Sequence, residues 1–257
     1  MDFGLKGRTA VVCASSKGLG KACAAALAAE GADVVINGRN PETVAAAVKE
    51  ISAVAKGRVI PVVADVATED GRALLLQPIP HPDILVTNCG GPPFGNFRDF
   101  DRNDWMRAIE GNMLSAIDLI KAVIDPMIER RHGRIVNITS VAVKAPIAEL
   151  CLSNAARSGL TGFVAGLARE VSRANVTINN LLPGAYDTDR LKGTMKGAAE
   201  KTGQPIEAIM DARKKTIPAL RFGHPDEFGE TCAFLCSAQA SYITGQNIAV
   251  DGGFTRA

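Results

Sequence analysis

The feature that most constrains this chain is an alternation. Short apolar runs at 9–13, 33–37, 59–64, 84–87, 135–139, 176–182 and 247–250 are separated by segments long enough to hold a helix. An antiparallel return needs only a tight turn, whereas a parallel one needs about a dozen residues, so runs spaced in this way are expected to pair in parallel. The Ala-rich segment 21–30 closes at Gly31, and the segment after Asn40-Pro41 carries Val44, Val48 and Ile51 at helical spacing. The expected class is α/β: one doubly wound, seven-stranded parallel sheet with helices on both faces. No repeat, low-complexity tract or Pro/Ser-rich linker interrupts the pattern, so residues 1–257 read as one domain. With 47% hydrophobic but only 5% aromatic residues, the core must be built from Ala, Val, Ile and Leu.

The charge balance narrows the partners. A formal net charge of +2, with both signs interspersed, gives no electrostatic footprint for nucleic acid or an anionic membrane, which favours small molecules. The six cysteines lie in apolar stretches without disulfide spacing; Cys232 and Cys236 share a helical face but lack a second pair or a histidine. We expect buried thiols and no metal site. His81, His132 and His224 each sit near Gly or Pro and read as loop residues. The start, Met1 to Lys6, has no leader pattern, and no apolar run approaches about 18 residues, so a soluble cytoplasmic protein is expected.

Chemistry concentrates first in the loop Cys13-Ala14-Ser15-Ser16-Lys17-Gly18-Leu19-Gly20, between a strand and a helix. Backbone N–H groups and the helix dipole there can receive a pyrophosphate, and Gly18 and Gly20 permit close backbone approach. Specificity for NAD commonly rests on an acidic residue at the end of the second strand. Here that end reads Asn37-Gly38-Arg39. Arg39 offers a planar fork to a 2′-phosphate and Lys17 adds a second positive charge, so NADPH/NADP+ is the expected cofactor.

The chain resembles the short-chain dehydrogenase/reductase family, notably the branch containing 3-oxoacyl carrier-protein reductases. The resemblance rests on Asp65-Val66, Thr87-Asn88-Cys89-Gly90, Trp105 followed by Asn112, residues 133–140 (Gly-Arg-Ile-Val-Asn-Ile-Thr-Ser), Pro183-Gly184, Thr188, and residues 241–246 (Ser-Tyr-Ile-Thr-Gly-Gln). It covers essentially the whole chain and implies a single Rossmann-type domain that transfers hydride between a nicotinamide and a carbonyl. It further implies that Asp65 and Val66 approach the adenine, that Asn88 and Gly90 support the strand end beside the ribose, and that Thr188 meets the nicotinamide amide or phosphates. Ser140 would be the catalytic serine and Asn112 the organiser of a proton-relay water. A homotetramer would form partly through the helix containing Ser153 and the C-terminal strand.

Three departures matter. The first glycine of the family's nucleotide loop is Ala14, preceded by Cys13. After Gly90, the stretch Gly91-Pro92-Pro93-Phe94-Gly95 is a stiff apolar loop that, with Leu150, would shape the pocket. Thirteen positions beyond Ser140, where the family has Tyr-x-x-x-Lys, this chain has Ser153-Asn154-Ala155-Ala156-Arg157. Arg157 keeps a cation on the same helical face and could hold the nicotinamide ribose, but it cannot donate a proton. Ser153 keeps a hydroxyl, a far weaker acid than a phenol with its pKa near 10. Three routes stay open: a water relay through Ser153, Tyr186 as substitute acid, or a substrate such as an iminium that needs no proton. A catalytically inactive NADPH-binding protein is the competing class. Residues 189–218, Lys-rich and Gly-interrupted, are expected to form a mobile helical cover over the site.

Overall fold

A computed structural model describes residues 2–256. Among them the strands are β1 (Thr9–Val12), β2 (Asp33–Gly38), β3 (Val59–Val63), β4 (Ile84–Thr87), β5 (Gly133–Ile138), β6 (Val176–Pro183) and β7 (Asn247–Val250). The helices are α1 (Gly18–Ala29), α2 (Pro41–Ser52), α3 (Glu69–Leu76), α4 (Arg102–Ile109), α5 (Ser115–Glu129), α6 (Cys151–Val171), α7 (Asp189–Thr202), α8 (Ile206–Lys215) and α9 (Pro225–Cys236). All seven strands pair in parallel in the order β3-β2-β1-β4-β5-β6-β7. No helix among the described residues is long and apolar enough to cross a membrane.

Strand periodicity divides the core in two. Ala10, Val12, Val34, Ile36, Ile84 and Val86 face Leu27 of α1, Ile51 of α2 and Phe228 of α9. Their neighbours Val11, Val35, Leu85 and Ile135 face the other way, onto Leu119 and Ile120 of α5 and Val164 of α6. Strands buried on both faces need continuous apolar runs rather than alternation, which is why the sequence signals were so plain. Each fully buried Leu or Ile contributes about 1.5–3 kcal/mol of transfer free energy.

Chain punctuation positions the helices. Asn40 accepts a hydrogen bond from Thr43 N at 2.9 Å ahead of Pro41, Thr68 caps α3 through Gly71 N at 3.1 Å, and Asp101 and Asp104 form a capping box on α4. Two elements differ from expectation. Helix α1 begins at Gly18 rather than at residue 21, so the glycine turn is already its first turn. Between α4 and α5 the chain makes a π-helical turn, Glu110–Leu114, that no residue pattern announced. The 189–218 segment is helical, as α7 and α8, and Gly203 in the left-handed region (φ 68°) ends α7.

The strand order reverses between β1 and β4, and both leave the sheet at the same edge. Adjacent chains diverge there to open a crevice, the place where open α/β sheets bind ligands.

Candidate active site

The β1–β3 side of the crevice is a groove of about 490 Å³ lined by Ser16, Lys17, Arg39, Asp65, Gly90 and Asn112, among others. Its walls are held by backbone. Asn37, at the end of β2, accepts Ala14 N at 3.1 Å on Oδ1, donates from Nδ2 to Ala64 O at 3.0 Å, and takes Ser15 N at 2.7 Å on its carbonyl. One asparagine therefore knits the ends of three strands, a role that sequence reading passed over although it reads Asn37 beside Arg39. Ser15 is wholly buried: its hydroxyl donates to Val12 O at 2.6 Å and accepts Asn37 N at 2.8 Å, so its side chain shapes the turn and does not face a ligand. Leu19, partly buried, packs against the core, and Val66 is buried in it at the edge of the groove.

The glycines act as expected, with one addition. Gly18 has φ 55° and lies beside Thr188, and a Cβ on Gly20 would collide with the carbonyl of Ala14. Gly90 has open space above it. Ala14 stands in the left-handed region (φ 44°), which a non-glycine residue enters only at a cost. Cys13 beside it is buried, and burial pushes its thiol up to about 12. Asn88 donates to Ala14 O at 3.4 Å and ties β4 to this loop.

Cations at the groove are available. Lys17 is exposed, and Arg39, 76% exposed, meets Asp65 only at 3.7 Å. Asp65 also accepts Ala67 N at 3.0 Å. Open glycine surface, a helix N-terminus and two loosely held cations fit a dinucleotide bearing an extra phosphate. Pro183 and Gly184 close the far end: Gly184 N donates to Val250 O at 3.1 Å, a Cβ there would meet Asp251, and Thr188 caps α7 through Leu191 N at 3.4 Å. A larger groove, about 690 Å³, runs along the outer face of α1 and touches Lys17, Gly18 and Thr188 but none of the catalytic candidates.

The other half of the site gathers around Arg157. Ser153 and Arg157 lie one turn apart on α6, 6% and 9% exposed. Arg157 donates from Nε to Ser153 Oγ at 3.1 Å, from Nη1 to Ile138 O at 2.6 Å and Thr139 O at 2.8 Å, and from Nη2 to Asn112 Oδ1 at 3.0 Å. A guanidinium has five N–H groups, so one is left for any ligand. The expected hold on a ribose thus becomes a lesser duty beside an internal one: Arg157 clamps the last carbonyl of β5 and the next one, just before Ser140, to α6 and to the π-turn. Burial, and next the charge of Arg190, lower its pKa to about 10, still a cation at neutral pH.

Ser140 leaves β5 in extended conformation and accepts Ala142 N at 3.1 Å. Asn112 sits on the π-turn, its Nδ2 donating to Ala108 O at 3.3 Å and Gly90 O at 3.5 Å. Such turns recur at functional sites because the extra residue re-aims a side chain. Because Ser140 and Ser153 each accept an N–H, their own hydroxyl protons are free to be donated.

Tyr186 is corrected. It is 5% exposed, donates to Val250 O at 3.0 Å and packs edge-on against Phe228. Burial, with Glu227 and Asp251 adding to it, raises its pKa further. A phenol whose proton is bound inward and held more tightly than normal is no general acid for the crevice. The only other tyrosine, Tyr242, is fully exposed.

Fold and site together define a dinucleotide-binding α/β protein whose chemistry sits at the carboxyl edge of its sheet. A family model described as enoyl-(acyl carrier protein) reductase matches residues 13–255. Among curated relatives, the uncharacterized oxidoreductase YvaG of Bacillus subtilis (strain 168) is 33% identical over 261 residues, covering 100% of this chain and 99% of that protein. The 3-oxoacyl-[acyl-carrier-protein] reductase FabG of Aquifex aeolicus (strain VF5) is 32% identical over 257 residues, covering 98% and 99%. Among solved structures, L-sorbose reductase from Gluconobacter frateurii, complexed with NADPH and L-sorbose, superimposes with a TM-score of 0.94 at 28% identity and covers 100% of both chains. The chain belongs to the short-chain dehydrogenase/reductase family of oxidoreductases.

Proposed function

We propose that this protein is an NADPH-dependent oxidoreductase that reduces a carbonyl, such as a ketone or a 3-oxoacyl thioester. The observation that carries this reading is the constellation at the end of β5, where Ser140 follows directly on the two carbonyls held by Arg157, with Ser153 and Asn112 bonded to the same guanidinium. Support for the cofactor comes from Lys17 and Arg39 at the groove and from the NADPH bound by the structurally similar L-sorbose reductase.

Bound NADPH supplies a hydride to the carbonyl carbon; the oxygen must then gain a proton. Ser140 and Ser153 orient and polarise that oxygen by donating hydrogen bonds, and the nearby Arg157 charge favours the negative charge that develops there. An aliphatic hydroxyl is too weak an acid to release its proton alone, so Ser153 acts as a relay whose proton is replaced from water. Asn112 holds Arg157 in register and keeps the Gly90 loop in place. Residues 189–218 serve as the substrate cover. In this reading the protein is cytoplasmic and homotetrameric, for which α6 offers a flat exposed face of Ala155, Ser158, Gly162, Ala165 and Gly166.

A second reading, reduction of an iminium, is favoured by one observation: neither tyrosine can supply a proton at the crevice. An iminium arrives charged and needs only the hydride. Stopped-flow mixing with NADPH and NADH against ketones, 3-oxoacyl thioesters and cyclic imines separates the readings. Oxidation of NADPH by a ketone or thioester is expected; oxidation by imines alone selects the second reading, and silence with every acceptor despite NADPH binding leaves a binding protein.

A further inference from the structure

Arg190 occupies the first turn of α7, directly behind the Thr188 cap, and reaches back to the loop that follows β4. Its Nη1 donates to Gly91 O at 3.1 Å and its Nη2 to Pro92 O at 3.2 Å, while its guanidinium carbon lies 5.9 Å from the centre of the Phe94 ring. Glycine at 91 leaves room for the seat: a Cβ there would come within 2.6 Å of that guanidinium carbon, and the guanidinium would have to move. On the other side of the same loop, Asn112 donates to Gly90 O and accepts from Arg157. Two guanidiniums are therefore linked through three consecutive loop residues and one asparagine.

Neither cation has an acidic partner among the described residues, and every hydrogen bond they make ends on a neutral acceptor. Three other arginines, Arg58, Arg72 and Arg221, each hold a carboxylate at 2.7 Å. The loop residues that the pair flanks, Gly90, Gly91 and Pro92, line the crevice groove together with Asn112. A hydrogen bond to a carboxylate is about twice as strong as one to a neutral carbonyl, so an incoming anion displaces Gly91 O and Pro92 O from Arg190.

We propose that Arg190, seated on Gly91 and backed by Arg157, selects a substrate that carries a carboxylate beside its reducible group. This rests on the reductase reading of the site and narrows its substrate class.

The test uses the protein saturated with NADPH and two probes of equal size, acetoacetate and its neutral counterpart acetoacetamide. Binding is read by quenching of NADPH fluorescence, and reduction by its loss in single turnover. The acid is expected to bind about tenfold or more tightly than the amide. R190M brings that ratio close to one while NADPH affinity changes by less than about threefold, R190K keeps part of the preference, and G91A, which unseats the guanidinium, behaves like R190M. Equal binding of the two probes by the parent protein, no binding of either, or an unchanged ratio in R190M overturns the proposal. So does lost NADPH affinity in R190M with the ratio intact, which would assign Arg190 to the cofactor's diphosphate. Tight acid binding without reduction overturns the reductase reading and leaves the role of Arg190 standing.

Discussion

The two halves of the crevice are built on opposite plans. On the β1–β3 side the walls are backbone, glycine and one knitting asparagine, and the charged side chains, Lys17 and Arg39, stand exposed with loose partners or none. On the β5–α6 side Asn112, Ser153 and Arg157 are buried and bonded to one another through the guanidinium. The first half depends on main-chain shape and tolerates changes in its charges; the second depends on side chains, and removing one strands several partners. Local geometry follows the same division: Ala14 holds a left-handed backbone at the cost of local strain, whereas Ser153 and Arg157 are bonded to each other.

The largest test of this contrast is R157M. It would leave Ile138 O, Thr139 O and Asn112 Oδ1 without their donor in a buried setting, and should cost about 3 kcal/mol or more in urea unfolding, with turnover abolished. Loss of turnover with parental stability would mean that Arg157 serves chemistry alone. Next in size is the double variant S153Y/R157K, which introduces the phenol and ammonium that the family resemblance implies. A general acid contributes about 10²-fold or more, so kcat with a ketone should rise by that order, while turnover of a cyclic iminium should not. On the open side, R39D should shift the NADPH-over-NADH preference by about tenfold or more, read as the ratio of the two kcat/KM values, with the unfolding midpoint unchanged. The smallest effect belongs to A14G. Relief of a non-glycine residue at φ 44° is offset by the added freedom of the unfolded chain, for a gain of about 0.5–1 kcal/mol in thermal unfolding.

Much of the sheet was legible in the sequence because its central strands are buried on two faces, which writes continuous apolar runs such as 84–87 and 176–182 into the chain. The nucleotide loop was legible for a related reason, since Gly18 and Gly20 answer to local backbone geometry. What stayed hidden depends on contacts distant along the chain. Nothing near Ser15 says that its hydroxyl turns inward to Asn37, and nothing near Tyr186 says that its proton is taken by Val250, 64 residues away. The clamp formed by Arg157 was half legible: its spacing from Ser153 put both on one helical face, but its two carbonyl partners lie at the end of β5 and one residue past it, and its amide partner belongs to a turn with no pattern of its own. The seat of Arg190 at Gly91 spans 99 positions and could emerge only once α7 had been placed.

The π-turn at Glu110–Leu114 has a further consequence. Residues 102–129 form one nearly continuous rod with a single surplus residue in its middle, and each residue of an α-helix advances the surface by about 100°. The phase of the rod is therefore offset between its two ends, letting α4 pack on α6 while α5 addresses the sheet. Deleting any one residue of the turn would restore an unbroken helix at little local expense, yet it would rotate one end against the other and carry Asn112 out of reach of Arg157.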